Sequence, residues 1–212
     1  IFSTGSEDLK LEYKQLASKL DLILSKMVKQ NYEYKYKAIQ EIINENQLSK
    51  IIIFCSDPKV AAELQVFLNG QDISSIILSS ENYLKCQALL AHVQDPTVVI
   101  CDKNSEEGLN LQGRNRTIIH FDLPLDVNRI EQRLGRVDRY GGVEFGSFII
   151  EDDSNDYSKL WSQVVTEGVG VFDRSVASLQ FLLEDEMRSL EPEFLEKGSD
   201  AFNIFIEKLS GE

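Results

Sequence analysis

The segment that most invites chemistry runs Arg129-Ile130-Glu131-Gln132-Arg133-Leu134-Gly135-Arg136-Val137-Asp138-Arg139-Tyr140-Gly141-Gly142. Four arginines fall in it, with one Gln between them and one Gly inside what reads as a helix. At about 100° per residue, Ile130, Leu134 and Val137 share a face. Arg129, Gln132, Arg133, Arg136 and Arg139 are expected on the opposite one. Guanidinium groups so close together repel one another unless an anion lies between them. Each planar fork can meet two oxygens of a phosphate at once. A glycine inside a helix costs about 1 kcal/mol relative to alanine, and a merely solvated basic face has no need of one. The pattern points to a phosphate clamp. A second candidate is the polar run Asp102-Lys103-Asn104-Ser105-Glu106-Glu107-Gly108-Leu109-Asn110-Leu111-Gln112, which follows an apolar strand and holds one glycine for close backbone approach. By itself that run reads as a surface loop with a Gly turn.

Charge supports the first assignment once its distribution is considered. The chain has 212 residues and a formal net charge of −13. Residues 100–142 are neutral, with seven acidic and seven basic side chains, and six of the seven cations are Arg. Residues 143–212 carry 16 acidic and five basic residues, so the acidity sits in the tail. At 42% apolar and 27% charged residues the chain is neither disordered nor membrane-spanning by composition. No apolar run approaches the ~20 residues that cross a bilayer. Cys55, Cys86 and Cys101 are odd in number and widely spaced. They are expected as small buried hydrophobes in a reducing, cytoplasmic setting, not as a disulfide framework. The two histidines, His92 and His120, have no metal-ligand spacing, so no metal site is expected.

The elements that must hold these segments follow from periodicity. Leu16, Leu20, Ile23 and Met27, then Ala38, Ile39, Ile42 and Ile43, recur at helical spacing. From Lys50 apolar strands alternate with helices. The strands are Ile51–Cys55, Ile73–Leu78, Thr97–Cys101, Thr117–Phe121 and Phe145–Ile150. The helices begin at Ser56-Asp57-Pro58 and end at Asn69-Gly70, then span about 81–93, then Val127–Val137. Apolar strands alternating with helices predict an α/β domain whose parallel sheet is covered on both faces. In such sheets ligands bind beyond the carboxyl ends of the strands, where both candidate segments fall. Past Asp153 the stripes Tyr157, Leu160, Trp161 and Val164, then Val176, Leu179, Leu183 and Met187, then Phe202, Phe205 and Leu209 predict a helical extension. The expected layout is a helical lead (1–48) packing on the lobe, an α/β lobe (49–153) and an acidic helical extension (154–212).

The spacing Gln132-x-x-Gly135-Arg136-x-x-Arg139 resembles motif VI of superfamily-two helicases and translocases. Glu107-Gly108-Leu109-Asn110-Leu111-Gln112 resembles their motif V, and Ile51–Cys55 with Ser56 their motif IV. The form Glu131-Gln132-Arg133-Leu134-Gly135-Arg136-Val137-Asp138-Arg139 is similar to the Swi/Snf-related branch, above all to bacterial RapA-like proteins, although Tyr140-Gly141-Gly142 replaces the commoner Ile-Gly-Gln. The resemblance implies a RecA-like lobe, the second of two that sandwich ATP and Mg²⁺. By it, Arg136 and Arg139 are arginine fingers. Gln132, Gly108, Glu107 and Asn110 approach the nucleotide, and Ser56 and Ser105 approach a nucleic-acid strand. Asp102 stands where the family commonly has Ser or Thr on that strand. The implied partners are the first RecA-like lobe of the same protein, DNA (expected as duplex) and a protein docked through the acidic tail, with no membrane.

No G-x-x-x-x-G-K-[ST] phosphate loop occurs in the sequence. Glu151-Asp152-Asp153 after a strand imitates an acidic Mg²⁺ motif but reads as a solvated strand end. With an opening at Ile1 rather than Met, the expectation is an excised second lobe, inactive alone, of an ATP-dependent DNA translocase. The competing expectations are a non-catalytic RecA-like module docking on a protein such as RNA polymerase, and the lobe of an RNA helicase.

Overall fold

Short runs of Ile, Val and Cys set the architecture, because β-branched side chains suit a pleated surface packed on both sides. A computed structural model of the chain describes residues 32–47, 49–91, 97–105, 110–113, 115–137, 146–151, 156–172, 200–201 and 204–205. The helical lead up to residue 31, Glu107, Gly108, Arg139, the Val176–Met187 stripe, Phe202 and Leu209 lie outside them. After helix α1 (32–45) come β1 (Lys50–Phe54), α2 (Pro58–Gly70), β2 (Ser75–Ile77) and α3 (Tyr83–Ala91). Then follow β3 (Val98–Cys101), β4 (Arg116–His120), α4 (Val127–Val137), β5 (Gly146–Ile149) and α5 (Asp156–Gln163). A π-helical turn, Val164–Val169, ends the last of these. The five strands form one sheet in the order β2-β3-β1-β4-β5, and every pair is parallel. The RecA-like α/β expectation holds.

Alternation along β1 divides the core. Ile51, Ile53 and Cys55 point to one face, under Tyr36, Ile39 and Ile43 of α1 and Val60, Ala61, Leu64 and Leu68 of α2. Ile52 and Phe54 point to the other, under Cys86 and Leu90 of α3, Leu111, and Val137 of α4. A third cluster joins Val127 and Ile130 of α4 to Trp161, Val164, Val165, Val169, Ala201 and Phe205. Helix α4 is therefore gripped from two sides, by the sheet and by the helical extension, with Leu134 reaching both. The Trp161 indole N–H donates to the Pro124 carbonyl at 3.3 Å, tying the extension to the turn that launches α4.

Local differences from expectation have local causes. Helix α2 starts as expected, with Asp57 as N-cap accepting from the Lys59 N–H at 2.8 Å and Pro58 in the first turn. It also ends as expected at Asn69-Gly70. Gly70 is helical, Gln71 is the C-cap, and the left-handed residue is Asp72 at φ 60°, one of the few side chains that tolerate that region. Strand β2 is shorter than Ile73–Leu78, as befits a sheet edge. All three cysteines are buried and unbridged. No helix among the described residues is long and apolar enough to cross a membrane.

Candidate functional site

The chain leaves β1 through α2 toward one edge of the sheet and leaves neighbouring β4 through α4 toward the other. The carboxyl ends of β1 and β4 thus flank the crevice where such sheets bind ligands. Here that crevice holds Arg133. Its side chain is completely buried, the largest to be so among the described residues. One terminal nitrogen donates to the Asp122 carbonyl at 2.7 Å. The other donates to Ser56 Oγ at 2.8 Å and meets Asp122 Oδ1 at 3.2 Å. The guanidinium also lies 5.4 Å from the centroid of the Phe54 ring. Asp122 in turn accepts from the Ser56 N–H (2.7 Å) and hydroxyl (2.6 Å). This corrects the placement of Arg133 on an outward face with Arg129, Gln132 and Arg136. Because α4 is covered on two sides, its buried sector is wider than the Ile130–Leu134–Val137 stripe, and a counter-charge waits at its edge.

The remaining candidates separate into two groups. At the end of β3, Asp102 accepts from the backbone N–H of Asn104 (2.9 Å) and Ser105 (3.1 Å), and the Ser105 hydroxyl is buried against Asp102. The hydroxyls of Ser56 and Ser105 are thus both hydrogen-bonded within the chain, not turned to solvent. The second group is assembled around the end of α4. The Leu111 N–H donates to the Arg136 carbonyl at 3.0 Å, which brings Asn110 and Leu111 of candidate motif V onto the last turn of α4. Gln132 and Asn110 are exposed and Arg136 is half-buried. A Cβ added at Gly135 would meet nothing within 4 Å, so this exposed glycine borders open space. Asp122 was missed as a site residue. Its signal was its place, directly after an apolar strand and one helix start ahead of an arginine.

Beside this cluster His120 is fully buried, with neither ring nitrogen hydrogen-bonded among the described residues. It stacks on Phe54 at 5.9 Å and meets the edge of Phe172 at 5.4 Å. Burial, aided by the nearby Arg133 charge, depresses its pKa to about 3. Burial first, then Asp122, pushes the Cys55 thiol up to about 12, which leaves it an unreactive core group. The histidine makes stability pH-dependent. Its folded pKa lies below the unfolded ~6.5, so the unfolded chain binds the extra proton between about pH 6.5 and 3. Its contribution is complete above pH 6.5 and is lost as pH falls through that window. Urea unfolding at pH 7 and pH 5 should show a fall in the wild type larger than that in His120→Leu by about 2 kcal/mol. Equal falls in both proteins would mean that the imidazole is not neutral and buried in solution.

The helicase conserved C-terminal domain family matches residues 34–141, just over half of the chain. Among curated relatives, the RNA polymerase-associated protein RapA of Photobacterium profundum is 26% identical over 78% of this chain and 18% of its own length. RapA of Erwinia tasmaniensis is 28% identical over 53% of the chain and 12% of its own length. The chain thus spans less than a fifth of these relatives. Dbp5 of S. cerevisiae, solved bound to RNA and ADP BeF3, superposes with a TM-score of 0.53 at 15% identity, over 73% of this chain and 42% of its own. The C-terminal part of the Fun30 ATPase domain gives 0.51 at 18% identity, over 71% and 51%. These structures share the fold of the lobe. With the parallel sheet, helix α4 at the crevice and the family match together, the chain belongs to the helicase conserved C-terminal domain family.

Proposed function

We propose that the chain is the second motor lobe of an ATP-dependent DNA translocase, acting on ATP held between it and a first lobe. The observation that carries this reading is the last turn of α4. Arg136 emerges there half-buried, its carbonyl tied to the motif V loop, beside exposed Gln132 and the open space at Gly135. A guanidinium carried on a backbone pinned in this way suits a charge that develops on a phosphoryl group docked from outside. Gln132 and Asn110 supply uncharged hydrogen-bonding groups for the nucleotide. Arg139, Glu107 and Gly108 enter on their motif positions. The family resemblance assigns Mg²⁺ mainly to the other lobe. Ser56 and Ser105 line the carboxyl edge that would face the nucleic-acid strand. Since Asp122 and Asp102 hold their hydroxyls, they serve there as parts of a shaped loop edge.

A second reading takes its support from the relatives' name: a lobe that docks on RNA polymerase, with the acidic residues after position 142 as its surface. Turnover separates the two. The 212-residue chain alone should hydrolyse no ATP with or without DNA, whereas joined to a phosphate-loop lobe it should show DNA-stimulated hydrolysis. Turnover by the pure chain above an Arg136→Ala control, or none from the two-lobed protein, would overturn the motor reading.

A further inference from the structure

We propose that Ser56, Asp122 and Arg133 form a positioning latch that sets the rotation of α4 and thereby the aim of Arg136; the proposal rests on the finger reading above. The apolar contacts of α4, through Val127 and Ile130 on one side and Val137 on the other, are non-directional and would tolerate small rotations of the helix. The Arg133 guanidinium does not tolerate them. It is bonded to the ends of two adjacent central strands, through Ser56 after β1 and Asp122 after β4, at 2.7–3.2 Å. Charge-assisted bonds to a planar fork are directional. Arg136 follows three residues later, so its Cβ lies about 5–6 Å from that of Arg133 on the helix surface. The Leu111 N–H holds the Arg136 carbonyl from the other end. Stability alone does not account for such a cluster. A buried ion pair is often matched or bettered by apolar residues of the same volume, so its advantage lies in geometry.

Two variants loosen the latch without touching Arg136. Ser56→Ala removes the hydroxyl that Arg133 and Asp122 share. Asp122→Asn removes the counter-charge and can turn an N–H toward the Ser56 N–H. In the two-lobed protein each should lower kcat for ATP by about 10-fold, short of the ~10²-fold that a 1 Å misplacement can cost. The KM for ATP and the DNA concentration giving half-stimulation should stay within about 2-fold. In an Arg136→Ala background neither change should lower kcat further, because the latch acts only through that side chain. Thermal unfolding identifies any variant that fails to fold, and Ser56→Ala, which leaves the ion pair intact, decides the case if Asp122→Asn does not. Full kcat in folded Ser56→Ala, or losses that add to that of Arg136→Ala, would overturn the latch while leaving the finger in place. So would a raised DNA requirement at unchanged kcat, which assigns Ser56 to the nucleic acid. Full turnover by Arg136→Ala itself removes the finger reading, and the latch with it.

Discussion

Replacing Arg136 by alanine is expected to lower the kcat of the two-lobed ATPase by at least about 10²-fold, the cautious end of what an arginine finger contributes. ATP affinity should change far less. The reason is when the contact matters: a guanidinium that meets the γ-phosphoryl group as charge develops stabilises the transition state and not the bound ground state. Arg136→Lys should recover little. It keeps the charge but loses the planar fork that meets two oxygens together. The same holds for Arg139 by its motif position, and the double variant should be barely slower than either single one, since residues acting as a unit are not additive. Arg136 is half-buried and lies outside the apolar clusters that hold α4. Its removal should therefore shift stability by less than about 1 kcal/mol. Steady-state hydrolysis, binding of a non-hydrolysable ATP analogue and thermal unfolding of each variant test this together. Full turnover, or early unfolding, would make Arg136 a structural residue.

Why the sheet was legible is plain from β1. Ile51 to Phe54 is apolar at every position, and only a strand buried on both faces has use for that; the structure buries all four, and Lys50 before them. Helix α4 spans the expected Val127–Val137 because the Ile130–Leu134–Val137 spacing marks it; the structure adds Asp126 before it, accepting from the Asn128 N–H at 3.0 Å. Val164 closes the helical stripe that starts at Tyr157, and there the backbone widens to a π turn whose carbonyl at Val165 accepts from Val171 at 3.2 Å. What failed was a position decided by tertiary contact. Arg133 is the instructive case. On an ideal wheel it sits only about 60° from Ile130, at the rim of the apolar stripe and not opposite it. Grouping it with the other arginines by charge overrode its angle. No local pattern announces that Asp122, from a different element, will be there to receive it.

Arg133→Ala should be the most destabilising of the motif VI substitutions, by about 3–5 kcal/mol, the range for breaking a buried pair. For a chain of this size that lowers the midpoint of thermal unfolding by roughly 10 °C. Three losses combine. A large, fully buried side chain disappears and leaves a cavity in the crevice between β1 and β4. The bonds to the Asp122 carbonyl and to Ser56 Oγ go with it. The Asp122 carboxylate loses its cation, although at 32% exposed it can recover water. That access sets the lower end of the range. Arg133→Met tests the division, because an unbranched apolar chain refills most of the space without restoring a hydrogen bond. It should recover part of the loss, and the remainder measures the polar cluster. Gln132→Ala, one residue away on the exposed side of the same helix, should stay within about 0.5 kcal/mol of wild type. Urea and thermal unfolding of the three variants, followed by circular dichroism on the 212-residue chain, give the ranking directly. If Arg133→Ala unfolds with Gln132→Ala, the guanidinium is solvated in solution and the crevice between β1 and β4 stands open.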